Sequence, residues 1–299
     1  MRHSTRRLVV LAAVAMLMAS CTTKSGSDDD GAALPSPSPR ALTSVSSYVA
    51  LGDSFAAGPD IDPVSTSSGA CRRSNDNWPH LVADELKAKT FADVTCTGAP
   101  TSHLTEPFTP RGGTSTRAQL DAIDEHTQLI TVTMGGNDAG TFPGILTVCT
   151  DFYNASDDVC SGFVKSRLPG MLDEVKDSVE RGLTDIRRKA PRATILMVGY
   201  LRVSPDKDGC AELGTTGSRT TLEARAEQRL DQTLASAAKV SGVGYLSLRK
   251  VSKGHDVCAG DEAWINGLKP AKGTGAPLHP NADGMRGAAG AIAERLKNG

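Results

Sequence analysis

Aromatic residues are scarce in this chain: 2 Trp, 4 Tyr and 6 Phe make up 4% of the sequence. Together with 30 glycines, that composition fits an α/β domain with tight loops better than an all-β sandwich. Neither sign of charge is in excess, since 33 Lys and Arg face 34 Asp and Glu. Nothing in the balance draws a nucleic acid or an acidic polymer. No C-x-x-C pair occurs, no dinucleotide fingerprint follows the first strand-like segment, and no phosphate-binding loop is visible. The elbow pattern G-x-S-x-G is missing too, because Ala56 stands where its second glycine belongs. His255 with Cys258 is the one metal pair worth weighing, and neither it nor His103 or His126 has partners at ligand spacing. No metal and no cofactor are expected.

One apolar run does stand out. Arg2, Arg6 and Arg7 precede Leu8–Met18, and Ala19-Ser20 leads into Cys21. The run is shorter than the roughly 20 residues of a membrane span, so residues 1–21 read as a signal peptide. Small residues directly before Cys21 resemble a bacterial lipoprotein signal, in which Cys21 is lipidated and anchors the chain to a membrane. Ordinary cleavage near Cys21 is the plainer alternative, and Thr5-Arg6-Arg7 leaves the twin-arginine and general export routes open. Residues 22–46, rich in Ser, Asp, Gly and Pro, read as a solvated tether. The expected location is extracytoplasmic, lipid-anchored or secreted. Setting Cys21 aside leaves six of the 7 cysteines, an even number that suits disulfides in an oxidising compartment. Order and proximity in the chain favour Cys71–Cys96, Cys149–Cys160 and Cys210–Cys258 among the possible pairings.

From residue 47 to 299 no repeat, linker or break in composition interrupts the chain, which points to one domain acting as a monomer. Five short apolar segments read as strands: 47–52, 92–96, 129–135, 193–200 and 243–248. Continuous runs such as "ITVTM" and "ILMV" fit strands covered on both faces. Between them lie helical patterns at 77–89, at 163–190 with a break near Pro169, at 218–240 along Leu222, Ala226, Leu230 and Leu234, and at 280–298 with Pro280 in the first turn. Alternation of this kind predicts a five-stranded parallel sheet between two helical layers, whose chemistry gathers at the carboxyl ends of the strands.

Three of those ends carry polar residues: Gly52-Asp53-Ser54, Cys96-Thr97-Gly98 and Gly135-Gly136-Asn137-Asp138. A fourth feature, Leu278-His279-Pro280, precedes the final helix. In this order the four blocks resemble those of the SGNH or GDSL hydrolases, over essentially the whole domain. The resemblance implies a three-layer α/β/α flavodoxin-like fold and hydrolysis of small-molecule or lipid acyl esters. It makes Ser54 the nucleophile and His279 the base, with the oxyanion hole formed by Ser54, Gly98 and Asn137. The residue types suit acyl transfer, which needs a hydroxyl, a base in hydrogen-bond reach and donors aimed at the developing charge. Each has a bland alternative: a helix cap at Ser54, a turn glycine at Gly98, an Asx turn at Asn137, a surface histidine at 279. The family often carries Asp three residues before its histidine, where this chain has Ala276. A Ser–His dyad is therefore expected, with a main-chain carbonyl, that of Ala276, orienting the imidazole; Asp256, Asp261 and Asp283 are weaker substitutes. Loops 59–76, 99–118 and 138–162 are long enough to shape a pocket, with Phe108, Phe142, Ile145, Leu146 and Phe152 as apolar surface. Two other functions fit the same residues, a carbohydrate O-deacetylase and a binding lipoprotein without catalysis.

Overall fold

Every residue of β1 (Ser47–Gly52) after the first is buried, and the rest of the sheet is built outward from it. A computed structural model describes residues 41–150, 156–215 and 217–299. After β1 come α1 (Ser54–Ala57), α2 (Trp78–Glu85), β2 (Thr90–Asp93), β3 (Leu129–Thr133), α3 (Thr141–Cys149), α4 (Asp157–Gly162), α5 (Leu168–Lys189) and β4 (Thr194–Val198). Then α6 (Ser218–Val240), β5 (Gly244–Leu246), α7 (Leu248–Val251) and α8 (Ala282–Asn298) complete the chain. All pairings are parallel and the strand order is β2-β1-β3-β4-β5. This is an α/β fold of flavodoxin-like order, in which α2 packs with α8 and α5 with α6.

The order has a consequence for function. From β1 the chain moves outward to β2, then returns to place β3 on the other side of β1. The loops leaving β1 and β3 part in opposite directions, and a crevice opens at their carboxyl ends. Central strands buried on both faces explain the unbroken apolar runs: all five residues of β3 are buried. On α5, Leu168, Leu172, Val175, Val179, Leu183 and Ile186 fall on one buried stripe, and Arg187, Arg188 and Lys189 sit in the last turn, where cations complement the helix dipole.

Several boundaries differ from expectation for local reasons. The second strand lies at Thr90–Asp93 rather than 92–96, because Asp93 Oδ1 accepts from Thr95 N–H at 2.9 Å and Thr95 Oγ1 at 2.6 Å and ends the strand in a turn. Pro169 does not end the helix: a π-helical turn at Phe163–Arg167 runs directly into α5, and the proline stands in the first turn of α5. Pro280 precedes α8, which is capped by Asn281 accepting from Gly284 N–H at 2.9 Å. Residues 1–40, with the signal segment, Cys21 and most of the tether, lie outside the described residues, as does Phe152. Residues 41–46 do not behave as tether: Leu42 and Val45 are buried, and their N–H groups donate to Leu296 O at 2.8 Å and Leu86 O at 3.1 Å. Two apolar side chains at three-residue spacing are enough to dock this segment on the domain. Among the described residues no helix is long and apolar enough to cross a membrane.

Disulfides join Cys71 to Cys96, Cys149 to Cys160 and Cys210 to Cys258. The buried face of α6 carries a feature absent from the apolar stripe read in the sequence, the carboxyls of Glu223 and Glu227. Glu227 accepts from Ser204 N–H at 3.0 Å and Val203 N–H at 3.3 Å, with Arg249 Nε at 3.8 Å. Glu223 is fully buried, and neither of its oxygens has a well-formed hydrogen bond among the described residues. Burial and the neighbouring Glu227 push its pKa well above the ordinary 4.5. A raised folded-state pKa means that the fold binds this proton more tightly than the unfolded chain. Stability is therefore lost as pH climbs above the unfolded value. Glu223→Gln should melt above wild type at pH 8, by at least the ~2–4 °C that 1 kcal/mol moves a domain of this size, with the gap shrinking at pH 5. Calorimetry of the two proteins across that range checks it.

Candidate active site

At the end of β1 the backbone turns directly into α1. Asp53, not Ser54, is the N-cap: its Oδ1 accepts from Phe55 N–H at 3.0 Å. Ser54 is thus free of capping and begins the helix at 7% exposure. Its Oγ lies 2.8 Å from Nε2 of His279, across 225 residues of chain. His279 Nδ1 lies 2.8 Å from Pro277 O. A carbonyl only accepts, so the proton sits on Nδ1 and Nε2 offers its lone pair to the serine hydroxyl.

The orienting carbonyl is therefore Pro277 and not Ala276. Ala276 O instead takes the His279 backbone N–H at 3.3 Å and Asn266 Nδ2 at 3.3 Å. The reason lies at Leu278, which adopts a left-handed backbone with φ 54° and folds the chain back so that the ring meets the nearer carbonyl. For a buried, branched residue this conformation is strained by about 1–2 kcal/mol. Asp256 and Asp283 are engaged elsewhere, with Cys258 N–H and Arg286. Burial lowers the pKa of His279 below its usual 6.5, against the raising effect of the Pro277 carbonyl. The imidazole is neutral near pH 7, the form a base needs.

Asn137, four residues beyond β3, donates through Nδ2 to Ala99 O at 3.2 Å and to Asp53 Oδ2 at 3.3 Å. Gly98 sits in the loop after β2, tied down by the Cys71–Cys96 bond and by Thr97 N–H and Oγ1 donating to Cys71 O at 3.3 and 2.7 Å. Its φ of 78° is left-handed, open to glycine without strain. Among the described residues no group takes the N–H of Gly98 or of Ser54. A cavity of about 470 Å³ is lined by Ser54, His279, Asn137, Phe142, Leu146 and Tyr200, among others, with Arg72 and Arg111 also at its wall. Gly98 is not part of that lining, although its neighbour Ala99 touches Asn137. Of the apolar residues expected to shape a pocket, Phe142 and Leu146 do so. Ile145 is buried in the core, and Phe108 lies against His103.

Two residues of the site were not singled out in the sequence. Asp53 is 1% exposed, and burial pushes its pKa up to about 7 even though Tyr200 and Phe55 N–H donate to it. Tyr200, two residues past β4, donates its O–H to Asp53 Oδ2 at 2.6 Å and accepts Gly136 N–H at 2.7 Å. The rule that directs attention to strand ends applies to "MVGY" as it does to "LGDS", and it is the signal that points to Tyr200. Of the histidines weighed as metal ligands, His103 contacts Glu106 O and Thr116 Oγ1, His126 lies 3.7 Å from Glu125 Oε1, and His255 stacks on Trp264. Cys258 is half of a disulfide, and no group of three potential metal ligands occurs among the described residues.

Known proteins resemble this chain in sequence and in fold. The model of the GDSL-like lipase/acylhydrolase family matches residues 50–286. Lipase 2 of Streptomyces coelicolor is 32% identical over 256 residues, covering 83% of this chain and 85% of the relative. The crystal structure of phospholipase A1 from Streptomyces albidoflavus superposes with a TM-score of 0.68 at 28% identity, over 84% of this chain and 99% of that one. An extracellular lipase from Streptomyces rimosus gives 0.66 at 26% identity, over 84% and 99%. With the match running from β1 into the final helix, this chain belongs to the GDSL-like lipase/acylhydrolase family of ester hydrolases.

Proposed function

We propose that the chain is an exported serine esterase or lipase that cleaves acyl esters through a Ser54–His279 dyad. The observation that carries the proposal is the 2.8 Å approach of Ser54 Oγ to His279 Nε2. In the acylation step Nε2 takes the hydroxyl proton as Oγ attacks the ester carbonyl carbon. The carbonyl oxygen becomes an oxyanion that the N–H groups of Ser54 and Gly98 and the Asn137 carboxamide receive. Each such donor contributes about 3–4 kcal/mol of barrier lowering. The imidazolium then returns its proton to the departing alcohol, the C–O bond breaks, and the acyl group stays on Ser54. Water, deprotonated by the same nitrogen, releases the acid and regenerates the hydroxyl. Throughout, Pro277 O fixes the ring and receives Nδ1–H, a neutral acceptor where other hydrolases use a carboxylate.

Phe142 and Leu146 give the cavity an apolar wall suited to an acyl chain, and the relatives are named lipase and phospholipase A1. Both favour lipid esters. Three disulfides, the basic and apolar N-terminal segment, and a relative titled extracellular support export; Cys21 is the proposed point of lipid attachment.

Ser54→Ala should lower kcat on p-nitrophenyl esters by about a thousand-fold or more, and Asn137→Ala by about a hundred- to a thousand-fold. Wild-type rates in Ser54→Ala end the proposal. In an NMR titration of histidine ring nitrogens, His279 should appear as the Nδ1–H tautomer with a midpoint below 6.5. Because activity needs the neutral ring, the step assigned to His279 on the acid side of the kcat/KM profile should also fall below that value.

A further inference from the structure

A buried chain of hydrogen bonds runs behind the nucleophile and ends on Asn137. Gly136 N–H donates to Tyr200 Oη at 2.7 Å, Tyr200 O–H donates to Asp53 Oδ2 at 2.6 Å, and the same oxygen accepts from Asn137 Nδ2 at 3.3 Å. Its members come from the ends of β1, β3 and β4. The polarity is fixed, because a backbone N–H only donates. Tyr200 must spend its single proton on Asp53, whose carboxylate then faces donors alone. The tyrosine ring has little freedom to leave: it meets Phe55 edge-on at 5.1 Å and stacks on Phe142 at 5.8 Å. At Gly136 even a methyl group would sit 2.7 Å from the hydroxyl.

An asparagine side chain has two ends of nearly equal shape, one donating and one accepting. An oxyanion hole needs the donating end. At Asn137 two acceptors, Ala99 O and Asp53 Oδ2, surround the nitrogen, and the flipped amide would set its oxygen against both. The choice of end therefore depends on Asp53 staying where it is, and Tyr200 holds it there. Through Gly136 the same hydroxyl also ties the backbone next to Asn137.

We infer that Tyr200 is a positioning residue: acting through the Asp53 carboxyl, its hydroxyl fixes the Asn137 carboxamide with its nitrogen end in the crevice, so that the N–H now on Ala99 O at 3.2 Å is the one passed to the oxyanion. This rests on the Ser54 mechanism proposed above. A thermodynamic cycle tests it, with kcat and KM on a short-chain p-nitrophenyl ester for wild type, Tyr200→Phe, Asn137→Ala and the double variant, and with melting temperatures alongside. Tyr200→Phe should lower kcat about 10- to 100-fold with KM nearly unchanged, the scale of a misplaced catalytic group. In the Asn137→Ala background the same change should cost less than about 3-fold, because the group it positions is gone. An equal fall in both backgrounds, or no fall in either, overturns the inference. If Tyr200→Phe melts too low to assay, Asp53→Asn, which keeps the shape and removes the carboxylate, enters the same cycle with the same two outcomes. Ser54→Ala separates the two levels. A full rate there removes the mechanism itself, whereas a dead Ser54→Ala beside an indifferent Tyr200→Phe removes only the role of Tyr200.

Discussion

The contact between Ser54 and His279 joins residues at opposite ends of the domain, and the site exists only while those ends are held together. Trp78 is central to that. Buried at 1% exposure, it donates its indole N–H to Phe55 O at 3.1 Å, inside α1, and its backbone N–H to Met285 Sδ at 3.4 Å, inside α8. One residue thus links the helix that carries Ser54 to the helix that follows His279. The turn bearing His279 is held from its other side as well: Asn281 N–H donates to Trp264 O at 3.0 Å and Asn281 Nδ2 to Ala263 O at 2.7 Å. A misplacement of about 1 Å at a reacting group can cost a hundred-fold in rate, so this bracing belongs to function as much as to stability.

Electrostatics sorts the titratable groups of the site into two roles. His279 is kept neutral by burial, ready to accept a proton, and meets only a carbonyl at Nδ1. The Asp53 carboxyl, which also lines the cavity, meets donors instead, Tyr200, Phe55 N–H and Asn137. Asp53 thereby orders the donors on the side of the site where the proposed oxyanion would form. The proposed dyad would rely less on an ion pair to stabilise the imidazolium and more on geometry, which includes the strained backbone at Leu278.

Much of this was legible in the sequence where a physical rule ties residue type to position. Apolar runs bounded by turn residues marked the strands, and polar residues at strand ends marked Ser54, Gly98 and Asn137, of which Ser54 and Asn137 share a cavity with His279. Features that depend on a single dihedral were not legible. Whether Ala276 or Pro277 faces the imidazole turns on the φ of Leu278, and leucine gives no sign of a left-handed backbone. Tyr200 was absorbed into a strand because an aromatic at the end of an apolar run looks like more of the run. Nothing in the apolar stripe of α6 marks Glu223 and Glu227 as buried, since the groups that meet Glu227, Ser204 N–H and Arg249, come from distant segments of the chain.

The most direct test is a crystal structure of the protein after reaction with an alkyl phosphonate ester, whose phosphorus mimics the tetrahedral carbon. The expected result is a covalent bond from Ser54 Oγ to phosphorus. One phosphoryl oxygen should lie within hydrogen-bond reach of the N–H groups of Ser54 and Gly98 and of Asn137 Nδ2, with His279 Nε2 facing the leaving-group side. An adduct on another residue, or a phosphoryl oxygen turned away from all three donors, contradicts the assignment of this site.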